Sequence, residues 1–157
     1  MITSDKVFVT GIYASGKSTF VNKYRKSHAL PYLSFDAIYG YAARGERMDL
    51  VYRSMDMLGT FIMDALPMSN LVVDWDAFSA FVKDRNCTIV IVKCDIDTWY
   101  TEHLPSKSSF GDATEAQHKQ WFGEFYEGLG AKLESHFPDN VLIYHSDRDT
   151  LTPLTQV

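Results

Sequence analysis

The sequence predicts a three-layer α/β/α domain built on a central five-stranded parallel sheet, and three observations predict it. Short apolar runs suited to strands alternate with longer amphipathic segments along the whole chain. The run TIVIVKC, Thr88 to Cys94, is apolar and β-branched at successive positions, so both of its faces must be covered, as in parallel sheets sandwiched between helices. The 157 residues, 46% of them hydrophobic, suffice for one core and hardly for two. No repeat, low-complexity block or Pro/Gly-rich linker divides them.

Each element follows from its local pattern. Val7-Phe8-Val9 reads as the first strand and Lys17 to Ser27 as the helix after it. Pro31 to Phe35 suits a second strand, ending at Asp36. From Glu46 to Leu66 the residues Val51, Leu58, Phe61, Ile62 and Ala65 recur at helical spacing, which predicts one long helix. Leu71-Val72-Val73 then makes a third strand ending at Asp74, and Thr88 to Cys94 the fourth. Ala113 to Phe137, with Phe122, Phe125, Leu129 and Leu133 on one side, is a second long helix, and Val141 to Tyr144 the fifth strand. Leu104 to Asp112 (LPSKSSFGD) is polar, with Pro105 and Gly111 as breakers. It reads as an exposed loop, either a functional lid at about 104–113 or an ordinary surface connection.

Composition removes several classes of function. The net charge of −5 repels polyanions, so a nucleic-acid partner requires a local basic patch. Two clusters are available, Lys23, Arg25, Lys26 with His28, and Arg44, Arg47, Arg53; solvated helix faces explain them as well. Cys87 and Cys94 stand at opposite ends of one apolar run, too far apart to bridge, and read as buried thiols of a reducing compartment. No stretch resembles a secretory leader or a membrane span, so a cytoplasmic, membrane-free protein is expected. The five histidines have no metal-ligand spacing, and no G-x-S-x-G elbow is present. His145-Ser146-Asp147 reads as a strand exit.

The chemistry concentrates in VFVTGIYASGKSTF, Val7 to Phe20, where Gly11, Gly16, Lys17 and Ser18 meet the pattern G-x-x-x-x-G-K-[ST] between a strand and a helix. That spacing suits phosphate. Gly11, Ala14, Ser15 and Gly16 allow the backbone to curl so that successive N–H groups face one concavity. The helix from Lys17, with Ser18 and Thr19, adds its N-terminal partial positive charge; Lys17 reaches the β- and γ-phosphates, and the Ser18 hydroxyl can ligate Mg²⁺.

On these residues the sequence resembles the P-loop kinases, the superfamily of small nucleoside monophosphate, shikimate, gluconate and polynucleotide kinases. The resemblance is strong over Val7 to Thr19 and elsewhere rests on the order of elements. It implies a nucleotide kinase-like fold with the loop strand at the sheet centre, ATP as donor, Mg²⁺ as cofactor, and a lid over the phosphates. Asp36, at the end of the second strand, is then the candidate base for an acceptor hydroxyl, although it could equally cap a helix from Ala37. Asp74, closing the third strand, is the candidate to order Mg²⁺ through water, and it or Asp76 could instead cap the next helix. Asp95 and Asp97 look more like caps than catalysts.

Arg44, Arg47 and Arg53 lie where the superfamily holds its acceptor and suit a bidentate phosphate grip. Tyr39, Tyr41, Tyr52 and Trp75 could wall an acceptor pocket or simply pack the core. The sequence departs from the pattern in one respect: no arginine occurs between Arg85 and Arg148, so Lys107 is the only cation in the candidate lid. The activity implied is transfer of the γ-phosphoryl group to a small acceptor, a nucleoside or nucleotide above all. The alternatives are a kinase of nucleic-acid ends or of hydroxymethylated pyrimidine in viral DNA, and a regulatory nucleotide-binding NTPase.

Overall fold

Lys6–Thr10 (KVFVT) forms strand β1 because its three central residues are apolar and β-prone, and the sheet buries all of them. The computed structural model describes residues 2, 4–34, 48–64, 75–106 and 113–154. Asp36, Tyr39, Tyr41, Arg44, Arg47, the run 71–74 and Lys107 lie outside them. Helix α1 (Lys17–His28) leads to β2 (Tyr32–Leu33), α2 (Met48–Leu58), β3 (Phe61–Asp64), α3 (Trp75–Arg85) and β4 (Thr88–Lys93). A short helix α4 (Ile96–Thr98) then passes into a π-helical turn at Trp99–His103 and a 3₁₀ turn at Leu104–Ser106. Helix α5 (Glu115–His136), β5 (Val141–His145) and β6 (Thr150–Pro153) follow among the described residues.

The strand order is β2-β3-β1-β4-β5-β6, with β1 between β3 and β4. Five strands run parallel, as the sequence predicts, and β6 adds an antiparallel edge that it did not announce. Pro153 ends that edge strand, opposite Leu142, in the kind of place where a missing N–H costs least.

Alternate residues of each strand enter opposite cores. Phe8, Phe61, Met63, Ile89 and Ile91 face α2, α3 and α5 through Val51, Met55, Phe78, Phe81 and Leu133. Val7, Val9, Ile62, Val90 and Val92 face α1 through Phe20 and Val21. Phe8 meets Phe61 and Phe78 edge-on at centroid distances of 5.3 and 5.2 Å, and burying such a ring stabilises the fold by about 1.5–3 kcal/mol. The three layers are therefore as expected.

One segment differs. The long helix expected over Glu46 to Leu66 ends at Leu58, where Gly59 takes φ +77°, and Phe61–Asp64 becomes the third strand. Val51 and Met55 satisfy the helical face, while Phe61, Ile62 and Met63 are consecutive apolar residues that pair with Lys6, Val7 and Phe8 of β1. A helix would have left part of that run in water; the strand buries all three. Asp64 therefore ends the third strand of the described sheet, while the run expected to end at Asp74 lies outside the described residues.

Candidate functional site

β1 delivers the chain at Thr10 to the loop of residues 11–16, and α1 begins directly at Lys17. Gly11 packs so closely that a Cβ there would stand 2.6 Å from the Val92 carbonyl oxygen and 2.6 Å from Ser15 Oγ. Ala14 and Gly16 take positive φ, 65° and 102°, a left-handed bend that costs a non-glycine residue energy and persists only where the surroundings hold it. The Ser15 amide donates to the Ile12 carbonyl at 3.1 Å, and Phe20 N–H to Gly16 O at 3.0 Å starts the helical ladder. Lys17 Nζ folds back to donate to the Gly11 carbonyl at 2.8 Å.

The result is a cavity of about 400 Å³ lined by residues 13–19 and His103. The structure thus gathers Ala14, Ser15, Gly16, Lys17, Ser18 and Thr19 at one concavity, with Gly11 behind it. It has the N-terminus of a twelve-residue helix at its floor, a setting that attracts anions. His103 joins them from the end of the π-helical turn. Sequence inspection gave it no role, since a lone histidine after a non-standard turn has no spacing signal.

Asp64 stands at the same edge of the sheet, paired in register with Val9 of the neighbouring strand. Its carboxylate accepts a 2.5 Å hydrogen bond from the Tyr32 hydroxyl. Burial and that carboxylate together push the Tyr32 phenol up to about 12. Asp64 could have been found from the sequence had FIMD been read as a strand.

The other candidates separate. Trp75 stacks on His136 of α5, centroids 5.2 Å apart and planes 17° from parallel, so it packs between α3 and α5 and does not line the loop's cavity. Tyr52 stacks on Phe81 at 4.7 Å, a packing role. Arg53 is exposed on α2. Asp95 caps α4, accepting from the amides of Asp97 and Thr98, as expected; Asp97 is no cap but lies in the first turn and accepts from Lys119 Nζ at 2.6 Å. Asp76 lies in the first turn of α3.

The basic cluster on α1 is divided. Lys23 pairs with Asp149 at 3.0 Å, Arg25 lies over the Tyr32 ring and His28 stacks on Tyr24. Of the candidate lid, Leu104 is buried with Cys94, Trp99 and Phe122, so its first residue is an anchor and not an exposed loop. Cys87 and Cys94 are free and buried, and burial pushes their thiols up to about 12 and about 11. Among the described residues no cluster of three His, Cys, Asp or Glu side chains could hold a metal, and no helix is long and apolar enough to cross a membrane.

No protein-family model matches the chain, and no curated protein sequence does. Solved structures do. A shikimate kinase from Bacteroides thetaiotaomicron superposes with a TM-score of 0.58 at 10% identity, over 90% of this chain and 86% of that one. The YorR protein of Bacillus subtilis, in complex with phosphorylated GDP, superposes with a TM-score of 0.59 at 14% identity, over 92% and 90%. At these identities the likeness is one of fold: the chain shares the three-layer α/β architecture of these two structures.

Proposed function

We propose that the protein is an ATP-dependent kinase that transfers the γ-phosphoryl group to a hydroxyl or phosphate of a small acceptor, a nucleoside or nucleotide being the favoured class. The observation that carries this is the loop itself: Gly11 to Thr19 closes a cavity at a helix N-terminus with a lysine at its rim. Phosphoryl transfer asks a protein for positioning and charge neutralisation more than for covalent chemistry. In this reading Lys17 exchanges the Gly11 carbonyl for the β- and γ-phosphate oxygens, and the backbone N–H groups of the loop hold the remaining charge.

The residues present fit Mg²⁺. Ser18 presents an exposed hydroxyl at the cavity and Asp64 a carboxylate at the same sheet edge, and hard oxygen donors with room for water suit that ion. When bound with ATP it would supply charge neutralisation between the phosphates; Asp64 joins Asp74 as a candidate to order it through water. Asp36 remains our candidate to orient or deprotonate the acceptor hydroxyl, Arg44, Arg47 and Arg53 to hold an acceptor phosphate, and Lys107 to bring positive charge on lid closure. The likeness to a protein bound to phosphorylated GDP supports a nucleotide ligand. A nucleic-acid acceptor draws less support, because the net charge is −5 and Lys23 and Arg25 are engaged locally.

The test is ADP production from Mg·ATP with and without nucleosides, nucleotides, sugars and DNA ends. A kinase gives acceptor-dependent ADP that Lys17→Ala abolishes and that Asp36→Asn lowers by roughly two to four powers of ten. Acceptor-independent ADP production would favour a regulatory NTPase, and full turnover in Lys17→Ala would remove the reading.

A further inference from the structure

The loop does not hold its shape alone. Three side chains from elements far along the chain reach its backbone from behind. The Tyr126 hydroxyl on α5 accepts the Ile12 amide at 3.2 Å and donates to the Val92 carbonyl at 2.6 Å, tying the loop to the end of β4. The Trp99 indole N–H donates to the Tyr13 carbonyl at 2.8 Å. The Ser146 hydroxyl, in the turn after β5, stands 3.3 Å from the Ser15 carbonyl and 3.4 Å from that of Lys93, and its single proton serves one of the two at a time. Tyr126 and Trp99 are themselves immobilised. Trp99 is 1% exposed and its ring lies 5.0 Å from that of Phe122, and the Phe122 and Tyr126 rings are 4.7 Å apart.

These bonds bear on the amides that face the cavity. No cis peptide bond occurs among the described residues, and in a trans peptide the carbonyl of one residue and the N–H of the next point in opposite directions. A Tyr13 carbonyl held toward Trp99 therefore turns the Ala14 N–H the other way, and a Ser15 carbonyl held toward Ser146 turns the Gly16 N–H the other way. Ala14 and Gly16 both line the cavity. They are also the two loop residues with positive φ, the conformation that needs outside support.

We propose that Trp99, Tyr126 and Ser146 are positioning residues that preset the peptide planes of the loop, so that its amides already face an incoming polyphosphate. The inference rests on the reading of the loop as a phosphate site and adds to it the residues that maintain that site. Because Trp99 opens the turn that ends at His103, the same indole bond also fixes where His103 enters the cavity. A preorganised donor array needs no rearrangement on binding and is correspondingly stronger.

The experiment measures the affinities of Mg·ATP, inorganic tripolyphosphate and adenosine by calorimetry, for the wild type, Lys17→Ala, Trp99→Phe, Tyr126→Phe and Ser146→Ala. All are measured at a temperature where circular dichroism shows each protein folded. The expected result is that Trp99→Phe and Tyr126→Phe weaken tripolyphosphate and Mg·ATP by the same factor, about 5- to 10-fold, the equivalent of one hydrogen bond. Adenosine binding is unchanged, and Ser146→Ala acts in the same direction by less, since its bond is longer and shared. A purely structural role predicts lowered melting temperatures with unaltered tripolyphosphate affinity, and that outcome overturns the proposal. If Trp99→Phe does not fold, Tyr126→Phe, which removes one oxygen and no carbon, decides the matter in the same way. Tripolyphosphate binding that Lys17→Ala does not affect would overturn the phosphate-site reading itself, whereas Lys17-dependent binding that ignores all three variants would overturn the positioning role alone.

Discussion

A β-carbon on Gly11 would collide with the Val92 carbonyl oxygen, a backbone atom that cannot rotate away. Gly11→Ala must therefore push the loop off the end of β4. We expect the substitution to destabilise the protein by about 1–3 kcal/mol and to abolish measurable Mg·ATP affinity; an unshifted melting temperature would show that the loop is not packed this tightly. Asp64 yields a second prediction at this scale. If it orders Mg²⁺, Asp64→Asn raises the Mg²⁺ concentration required for half-maximal activity, and Asp74→Asn leaves it unchanged; the reverse pattern would give the role to Asp74. The loop from Gly11 to Ser18 was legible in the sequence because the motif is local: eight residues, read in order, describe a turn between a strand and a helix. His103, Trp99 and Tyr126 were not, because each reaches the loop or its cavity from another element, and Asp64 was missed because FIMD was read as helix.

Among the elements, β3 was the one misread, and its residues explain why. Val51, Leu58, Phe61 and Ile62 satisfy a helical period, yet Phe61, Ile62 and Met63 also form a continuous apolar run, and a short run of that kind does not distinguish helix from strand. The punctuation was Gly59, whose φ of +77° ends α2 and whose amide closes the last turn on the Met55 carbonyl at 3.0 Å. Nothing lies within 4 Å of a Cβ placed there, so the only cost of Gly59→Ala is the left-handed backbone. We expect a loss of about 1 kcal/mol in urea unfolding with Mg·ATP affinity unaltered, and a neutral or stabilising effect would mean that α2 does not end in this way. The strand β6 escaped notice for a different reason: TLTP is short and partly polar and becomes a strand only by pairing with β5.

At the scale of the whole molecule, folding holds the protons of four phenols spread over the sheet and helices, Tyr24, Tyr32, Tyr126 and Tyr144. Tyr32 is pushed up to about 12 by burial and by Asp64, Tyr144 up to about 12 by burial and by Asp149, and burial raises Tyr24 and Tyr126 as well. A phenol that ionises less readily in the folded state stabilises it fully below the ordinary value of 10.0; that stabilisation is lost as pH rises from there through about 12, because the unfolded chain releases its protons first. The urea midpoint should therefore fall steadily above pH 10, and Tyr32→Phe combined with Tyr144→Phe should flatten the decline; an identical slope in the double variant would show that these phenols carry none of it. The sequence by itself determined the three-layer class, the four strands whose apolar runs stand alone, and the loop from Gly11 to Thr19, because each is written in adjacent residues or in a short period. Only the tertiary structure decided that Phe61–Asp64 is a strand beside β1, that a sixth strand closes the edge, and that Trp99, Tyr126 and Ser146 stand behind the loop. The sixth strand pairs with β5 across a short turn, but the other outcomes depend on contacts between residues from 55 (Lys6 with Phe61) to 131 (Ser15 with Ser146) positions apart, where burial and hydrogen bonding across the fold, rather than any local preference, select the conformation.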